Sequence, residues 1–401
     1  MMNNYPANIR TFITLLCILL ITACSDKKQQ ELTPWGTALE ENDSIPTSET
    51  LALSDIQSNG EMIVLTMSGP QTYFDYHGKG LGMHYMLAEK FAQRIGVSLR
   101  VEVCKDTTEM VRRLEKGEGD IIAFPLPRSI KGVRFAGLKD SNGNGWAVNN
   151  ASRELADSLN RWFRPAMIEK TIKEEDFLLS TRSVVRHVYS PYLDRSGGVI
   201  SHYDHLFQKY APLARWDWRL IAAQCYQESA FDPHARSWAG ARGLMQVMPA
   251  TAAMLGLPEE QMEDPEANIA AAVRYISMLS GKFRDVPASE RIFFVLASYN
   301  GGYNHVRDAM ALASKYGKSP HRWADVEQYI LGLREPRYYN DPVVRYGYMR
   351  GNETADYVAR IRSRWAEYRG GARPGFSNPS GFKDAPVMTP ERAGKKYKWH
   401  L

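Results

Sequence analysis

A glutamate closes an apolar helical stripe. Trp218, Ile221, Ala222, Cys225 and Glu228 fall on one helix face, with Cys225 and Glu228 four and seven residues after Ile221. Asp217 is the natural N-cap. Ser229 and then Asp232-Pro233 end the helix, because a residue before proline avoids the α region. Glu228 therefore sits where core gives way to solvent. Burial there disfavours the ionised carboxylate and raises its pKa, which is what a general acid working near neutral pH requires. Taken alone, the pattern fits better a glutamate that has merely reached water at a helix end.

A second cluster follows in Gly243-Leu244-Met245-Gln246-Val247-Met248-Pro249. Gly243 lets backbone come close to a ligand, Gln246 carries both donors and an acceptor, and Met248 is a soft apolar contact. The plainer alternative is a turn leading into the helix after Pro249. Further on, Ile292, Val295 and Tyr299 share a helix face that ends at Gly301-Gly302. Tyr299 then points inward and Asn300 stands beside it, as simple core and simple cap or as part of a cleft. Asn268 starts the helical pattern of Ile269, Ala272, Val273 and Ile276, and is assigned a capping role. Most glycosidases use two carboxyl groups, yet no second carboxylate is marked by spacing. Asp232 and Asp264 precede prolines and read as caps or turns. No metal-ligand cluster is visible, and neither a metal nor another cofactor is called for.

Glu228-Ser229, the glycine-to-proline run and Ser298-Tyr299-Asn300, in that order, resemble the soluble-type lytic transglycosylases, a family with a lysozyme-like helical fold. Ser298 departs mildly from the alanine usual there. The resemblance implies that Glu228 protonates the oxygen joining N-acetylmuramic acid to N-acetylglucosamine in peptidoglycan. The same residue, ionised, then takes the proton of the C6 hydroxyl, leaving a 1,6-anhydro end. It also implies that Ser237, Gln246, Met248, Tyr299 and Asn300 lie along the substrate. Tyr357 opens a helix with Ile361 and Trp365 behind it; by the resemblance it would hydrogen-bond the acid, the plainer alternative being simple core. Tyr303, His305 and Trp323-Ala324-Asp325-Val326 fit the membrane-bound lytic murein transglycosylase F subgroup. Rival readings are a hydrolytic lysozyme of the same fold, and an inactive peptidoglycan-binding or sensor lipoprotein.

The elements that must carry these residues are legible in outline. The 401 residues, 44% hydrophobic and 24% charged, suffice for more than one domain. The net charge of +5 is too small to point to nucleic acid. Arginines and lysines crowd toward the C-terminus, as a solvated face or as an attraction to anionic peptidoglycan. Residues 1–24 read as a signal segment. Its end, Ile21-Thr22-Ala23-Cys24, resembles the lipobox of bacterial lipoproteins, so Cys24 would carry lipid. Ser25 after it favours the outer membrane, with the enzyme facing the periplasm. Residues 25–59 are polar and aperiodic and read as a tether. Residues 60–195 alternate strand and helix in a βαβαβ order that implies a parallel sheet. They resemble one lobe of a periplasmic solute-binding protein through Gly69-Pro70, Thr72-Tyr73, Glu118-Gly119-Asp120-Ile121 and Trp146-Ala147-Val148. Phe124-Pro125-Leu126 runs almost directly to Gly132, so the second lobe is missing and amino-acid binding is in doubt. The single lobe is left as structural, as a protein-partner surface or as a muropeptide sensor. Residues 200–369 read as an all-α domain and 370–401 as a tail. Cys104 and Cys225 lie in different parts and read as buried free thiols.

Overall fold

The computed structural model describes residues 52–371. Cys24, the signal segment, most of the tether and nearly all of the tail lie outside the described residues. Helix α1 (Leu53–Asn59) opens the fold and is followed by β1 (Glu61–Thr66), the hairpin strands β2 (Phe74–Tyr76) and β3 (Lys79–Leu81), and α2 (Met83–Ile95). Then come β4 (Ser98–Val103), α3 (Thr107–Glu115), β5 (Ile121–Leu126), β6 (Val133–Lys139), β7 (Gly145–Asn149), α4 (Arg153–Trp162) and α5 (Ala166–Leu178). Among the described residues they make one five-stranded sheet, in the order β4-β1-β5-β7-β6. β1 runs parallel to β4, from Glu61 opposite Ser98 to Thr66 opposite Val103, and parallel to β5 at Val64 and Ile121. β7 lies antiparallel to both β5 and β6. The apolar residues of β1, β5 and β7 are buried because helices cover both sheet faces. One core gathers Val64, Ile121, Trp146 and Phe91, the other Leu65, Ile122, Met110 and Leu114. Trp146 Nε1 donates to His84 Nδ1 at 2.7 Å, satisfying two polar groups inside the first core.

The tether boundary needs correction. Ile56 of α1 is buried in the first core, so the lobe begins before residue 60 although its flanks are polar. Two apolar residues, Leu53 and Ile56, in a short helix leave too weak a periodic signal to be read from composition. β5 ends at Leu126 and β6 begins at Val133, so no second lobe intervenes.

A short strand β8 (Val184–Val185) leads to the helical part: α6 (Asp204–Ala214), α7 (Trp218–Ser229), a two-residue strand β9 (Arg236–Ser237), α8 (Pro249–Met254), α9 (Pro265–Lys282), α10 (Ala288–Gly301), α11 (Tyr303–Lys315), α12 (Trp323–Gly332), α13 (Pro336–Tyr339) and α14 (Gly351–Gly371). α7 is the axis of this part, with Leu220, Ile221, Ala222, Ala223 and Cys225 fully buried among the other helices. Cys104 and Cys225 are both buried and free. The last helix runs two residues into the stretch read as tail.

The α/β and helical parts belong to one compact unit. Backbone from the helical part covers the carboxyl end of β1. Tyr348 N donates to Ser68 Oγ at 2.8 Å, and Gly347, at φ 74°, leaves no room for a side chain against Ser68. The β2–β3 hairpin extends the contact. Phe74 packs edge-on against Tyr348 with ring centroids 5.1 Å apart. Tyr76 lies parallel to Trp238 at 6.1 Å, and its hydroxyl donates to Glu353 Oε1 at 2.8 Å.

Candidate active site

Glu228 occupies the last turn of α7, as the apolar stripe requires. The helix starts at Asp217, whose carboxylate accepts the Arg219 N–H. It stops in an unusual way. Ala230 and Phe231 both take left-handed backbone, at φ 52° and 65°. Each costs on the order of 1 kcal/mol for a residue with a Cβ. The burial of Phe231 against Tyr226 and Phe207 offsets this. Asp232 accepts the His187 and His234 N–H groups, so it is a turn residue, as its proline neighbour implied.

The Glu228 side chain is half-buried. Tyr357 donates its hydroxyl to Glu228 Oε1 at 2.5 Å, and Gln224 Nε2 donates to that hydroxyl oxygen at 3.2 Å. Arg186 Nη1 binds the Glu228 carbonyl at 2.9 Å. Burial raises the carboxyl to about 7, while the Tyr357 hydrogen bond and the Arg186 charge pull the other way. Tyr357 lies in the second turn of α14 rather than at its start.

The loop after α7 is fixed from behind. Asn268 is not a cap: Asp264 caps α9 by accepting the Ala267 N–H. Asn268 lies inside that helix, fully buried, and its amide holds the loop. Its Oδ1 accepts Met245 N–H at 2.8 Å, and its Nδ2 donates to the Arg242 and Met262 carbonyls at 3.0 and 2.6 Å. The cap signal was misread because Asp264 and Asn268 stand one helical turn apart and both suit a helix start. Gly243 has φ 79°, and a Cβ there would strike the Met262 carbonyl and the Asn268 amide. Its close approach is to this clamp. Gln246, itself at φ 47°, spends its Nε2 on the Ala235 and Gly243 carbonyls, both at 2.9 Å. Ser237 Oγ accepts the Ala241 N–H at 3.0 Å in a tight turn.

A cleft of about 440 Å³ lies between this loop, α10 and the β2–β3 hairpin. Gln246, Met248, Tyr299 and Asn300 line it. Tyr299 donates to the Met245 carbonyl at 2.8 Å, and Asn300 Oδ1 accepts the Thr354 hydroxyl at 2.7 Å. Glu228 lies beside this space rather than on its wall, near enough for its charge to help raise the Tyr76, Tyr299 and Tyr357 hydroxyls. Ser237 is not on the wall either; its neighbour Ala239 is.

Several residues here carried no readable signal. Arg186 reaches the Glu228 carbonyl from just beyond β8, and Gln224 reaches the Tyr357 hydroxyl from within α7 itself. Tyr76 and Glu353 meet across 277 positions of sequence. Glu353 is a carboxylate on the cleft wall, but Tyr76 and Arg350 occupy it, with the Arg350 Nε at 3.5 Å. Among the described residues no cluster of His, Cys, Asp or Glu could hold a metal ion.

The helical part carries a transglycosylase SLT domain, whose family model matches residues 205–321. A membrane-bound lytic murein transglycosylase F from Citrobacter koseri is 30% identical over an alignment covering 77% of this chain and 80% of that protein. The chain belongs to the membrane-bound lytic murein transglycosylase F family. Among solved structures, the 70 kDa soluble lytic transglycosylase of Escherichia coli is similar over 43% of this chain and 25% of its own, at 26% identity and a TM-score of 0.28. The arginine-bound domain 1 of TmArgBP is similar over 29% of this chain and 96% of its own, at 22% identity and a TM-score of 0.25.

Proposed function

We infer that this protein is a peptidoglycan lytic transglycosylase that cuts the bond between N-acetylmuramic acid and N-acetylglucosamine, with Glu228 as its acid and then its base. The observation that carries the reading is Glu228 itself: half-buried at a helix end beside the cleft, raised to about 7, and oriented by Tyr357. A carboxyl poised there is protonated often enough to donate and ionised readily enough to accept. In the first step its proton goes to the glycosidic oxygen and the C1–O bond breaks. The substrate's N-acetyl group stabilises the cationic C1. The carboxylate then removes the C6 hydroxyl proton as that oxygen closes onto C1. Water is not consumed, and no second protein carboxylate is needed. Gln246, Met248, Tyr299, Asn300 and Ser237 are proposed to lie along the glycan. The relatives' description as membrane-bound supports a place in the cell envelope. A lipid at Cys24 would tether the enzyme there, at the outer membrane. Digestion of purified sacculi followed by mass spectrometry tests the reaction: the expected products are one water lighter than hydrolysis products, and reducing ends alone would sink it.

Tyr357 gives a second handle. Its hydroxyl stabilises the ionised form of Glu228, so Tyr357→Phe raises the acid's pKa further. The first step needs the protonated form, so the alkaline limb of the kcat/KM profile, near pH 7 in the wild type, moves to higher pH. Maximal turnover falls about tenfold from lost positioning. Matched pH–rate profiles check this. An unmoved limb would mean that Tyr357 does not touch the working acid.

A further inference from the structure

The Tyr357–Glu228 pair has a third member whose place in the core needs a reason. Gln224 is fully buried in the middle of α7, flanked by Ala222, Ala223 and Cys225. An amide at such a position costs stability unless its donors and its acceptor are matched. Here they are not. Gln224 Oε1 has no partner, and among the described residues the side chain makes one hydrogen bond, from Nε2 to the Tyr357 hydroxyl oxygen at 3.2 Å. Buried polar atoms in folded proteins are nearly always paired. An apolar side chain of the same length would fill this space and leave no carbonyl stranded. As packing, Gln224 is a poor choice, and what sets it apart is the atom it touches.

The spacing explains the contact. Gln224 lies four residues before Glu228, one turn back on the same face of α7. α14 packs along α7 and carries Tyr357, whose hydroxyl reaches both side chains. A phenol has one proton. That proton goes to Glu228 Oε1, so the Gln224 contact is a donation into the Tyr357 oxygen. A donor on that oxygen makes the phenol O–H more polar and a stronger donor in its turn. Burial and the Glu228 charge push the Tyr357 hydroxyl well up, and the Gln224 bond pulls it the other way. Glu228 Oε2 makes no hydrogen bond among the described residues.

We propose that Gln224 is a positioning residue for the acid: by donating to Tyr357 it turns the phenol proton onto Glu228 Oε1 and leaves Oε2 as the oxygen that gives and takes the working proton. Tyr357 keeps its own proton throughout. In the first step the carboxyl must present its proton to the glycosidic oxygen. A Tyr357 free to turn would accept that proton in a hydrogen bond and hold it away from the substrate. With Gln224 on the phenol oxygen, the proton stays on Oε2. In the second step the same Tyr357 bond steadies the carboxylate. The inference rests on the transglycosylase reading above for the reaction, while the titration it predicts is independent of the product.

The test is the titration of Glu228 in the full chain, read from its side-chain carboxyl carbon in glutamate-labelled protein and assigned by its absence from Glu228→Gln. It compares the wild type, Gln224→Met, Tyr357→Phe and the double variant. Methionine is close to glutamine in length and volume and lacks the donor. Gln224→Met is expected to raise the Glu228 midpoint above its wild-type place near 7, by less than Tyr357→Phe does. It should also lower kcat on sacculi about fivefold, the size of one neutral hydrogen bond. Its melting temperature should not fall, since the unpaired Oε1 is gone. The double variant is expected to titrate with Tyr357→Phe alone, because Gln224 acts only through the phenol. A midpoint unmoved in Gln224→Met overturns the proposal, and a loss of kcat without that shift makes Gln224 a packing residue. A shift of the same size with and without the Tyr357 hydroxyl overturns it too, since the effect would then bypass the phenol. Reducing ends in place of anhydro ends from the wild type are a separate result: they remove the reading of the reaction and leave the titration to decide the role of Gln224.

Discussion

Glu228→Gln is expected to lower turnover on peptidoglycan by about a thousandfold or more, since the proposed reaction uses this one side chain as both acid and base. The same variant should be more stable than the wild type at pH 8. The folded carboxyl titrates near 7 and an unfolded one near 4.5. Above pH 7 both forms are ionised, and the folded protein bears the cost of desolvating the charge. Between 4.5 and 7 the folded state holds the proton that the unfolded state has released, so wild-type stability falls as pH rises through this window. Neutral glutamine avoids the cost. After allowance for the half-exposed position, the gain is about 2 kcal/mol at pH 8 and fades toward pH 4.5. Thermal unfolding at both pH values, alongside turnover, checks the pair of effects. Lost activity without a pH-dependent stability gain would place the acid's raised pKa in doubt.

Asn268→Ala should be the most damaging change away from the acid. It removes three hydrogen bonds and strands the Met245 N–H and the Met262 carbonyl in a buried setting, while the Arg242 carbonyl keeps the Val247 N–H. Unpaired buried groups cost roughly 1–3 kcal/mol each, so a loss of about 3–5 kcal/mol is expected. For a unit of this size the melting temperature should fall by about 10 °C. Asn268→Asp should fare no better, because it turns the donor to two carbonyls into an acceptor. A melting temperature within about 2 °C of wild type in either variant would show that the loop holds without its clamp.

How far the sequence reached depends on how local each signal was. α7 was legible because its apolar spacing, its Asp217 cap and the Asp232-Pro233 stop all lie within one stretch of chain. The parallel strands were legible for the same reason. Asn268 was not, since a buried asparagine inside a helix looks like a cap until the loop it grips is seen. Gln246 was given its donors correctly but not their partners. They turn inward to the backbone, because the left-handed turn at Gly243 and Gln246 brings those carbonyls within reach. The Tyr76–Glu353 contact and the Arg186 approach join distant positions, and no period or motif encodes such pairs.

The Ser68–Tyr348 contact bears on how this chain comes apart. The mouth of the α/β sheet is filled by backbone between α13 and α14, and β8 (Val184–Val185) in turn pairs with β9 (Arg236–Ser237) beyond Glu228. Neither part is a cassette. Cutting between them would uncover Phe74, Tyr339 and Tyr348 together, and a truncated enzyme that failed would reveal only a damaged seam. Calorimetry of the intact chain should accordingly show both parts melting in one cooperative transition.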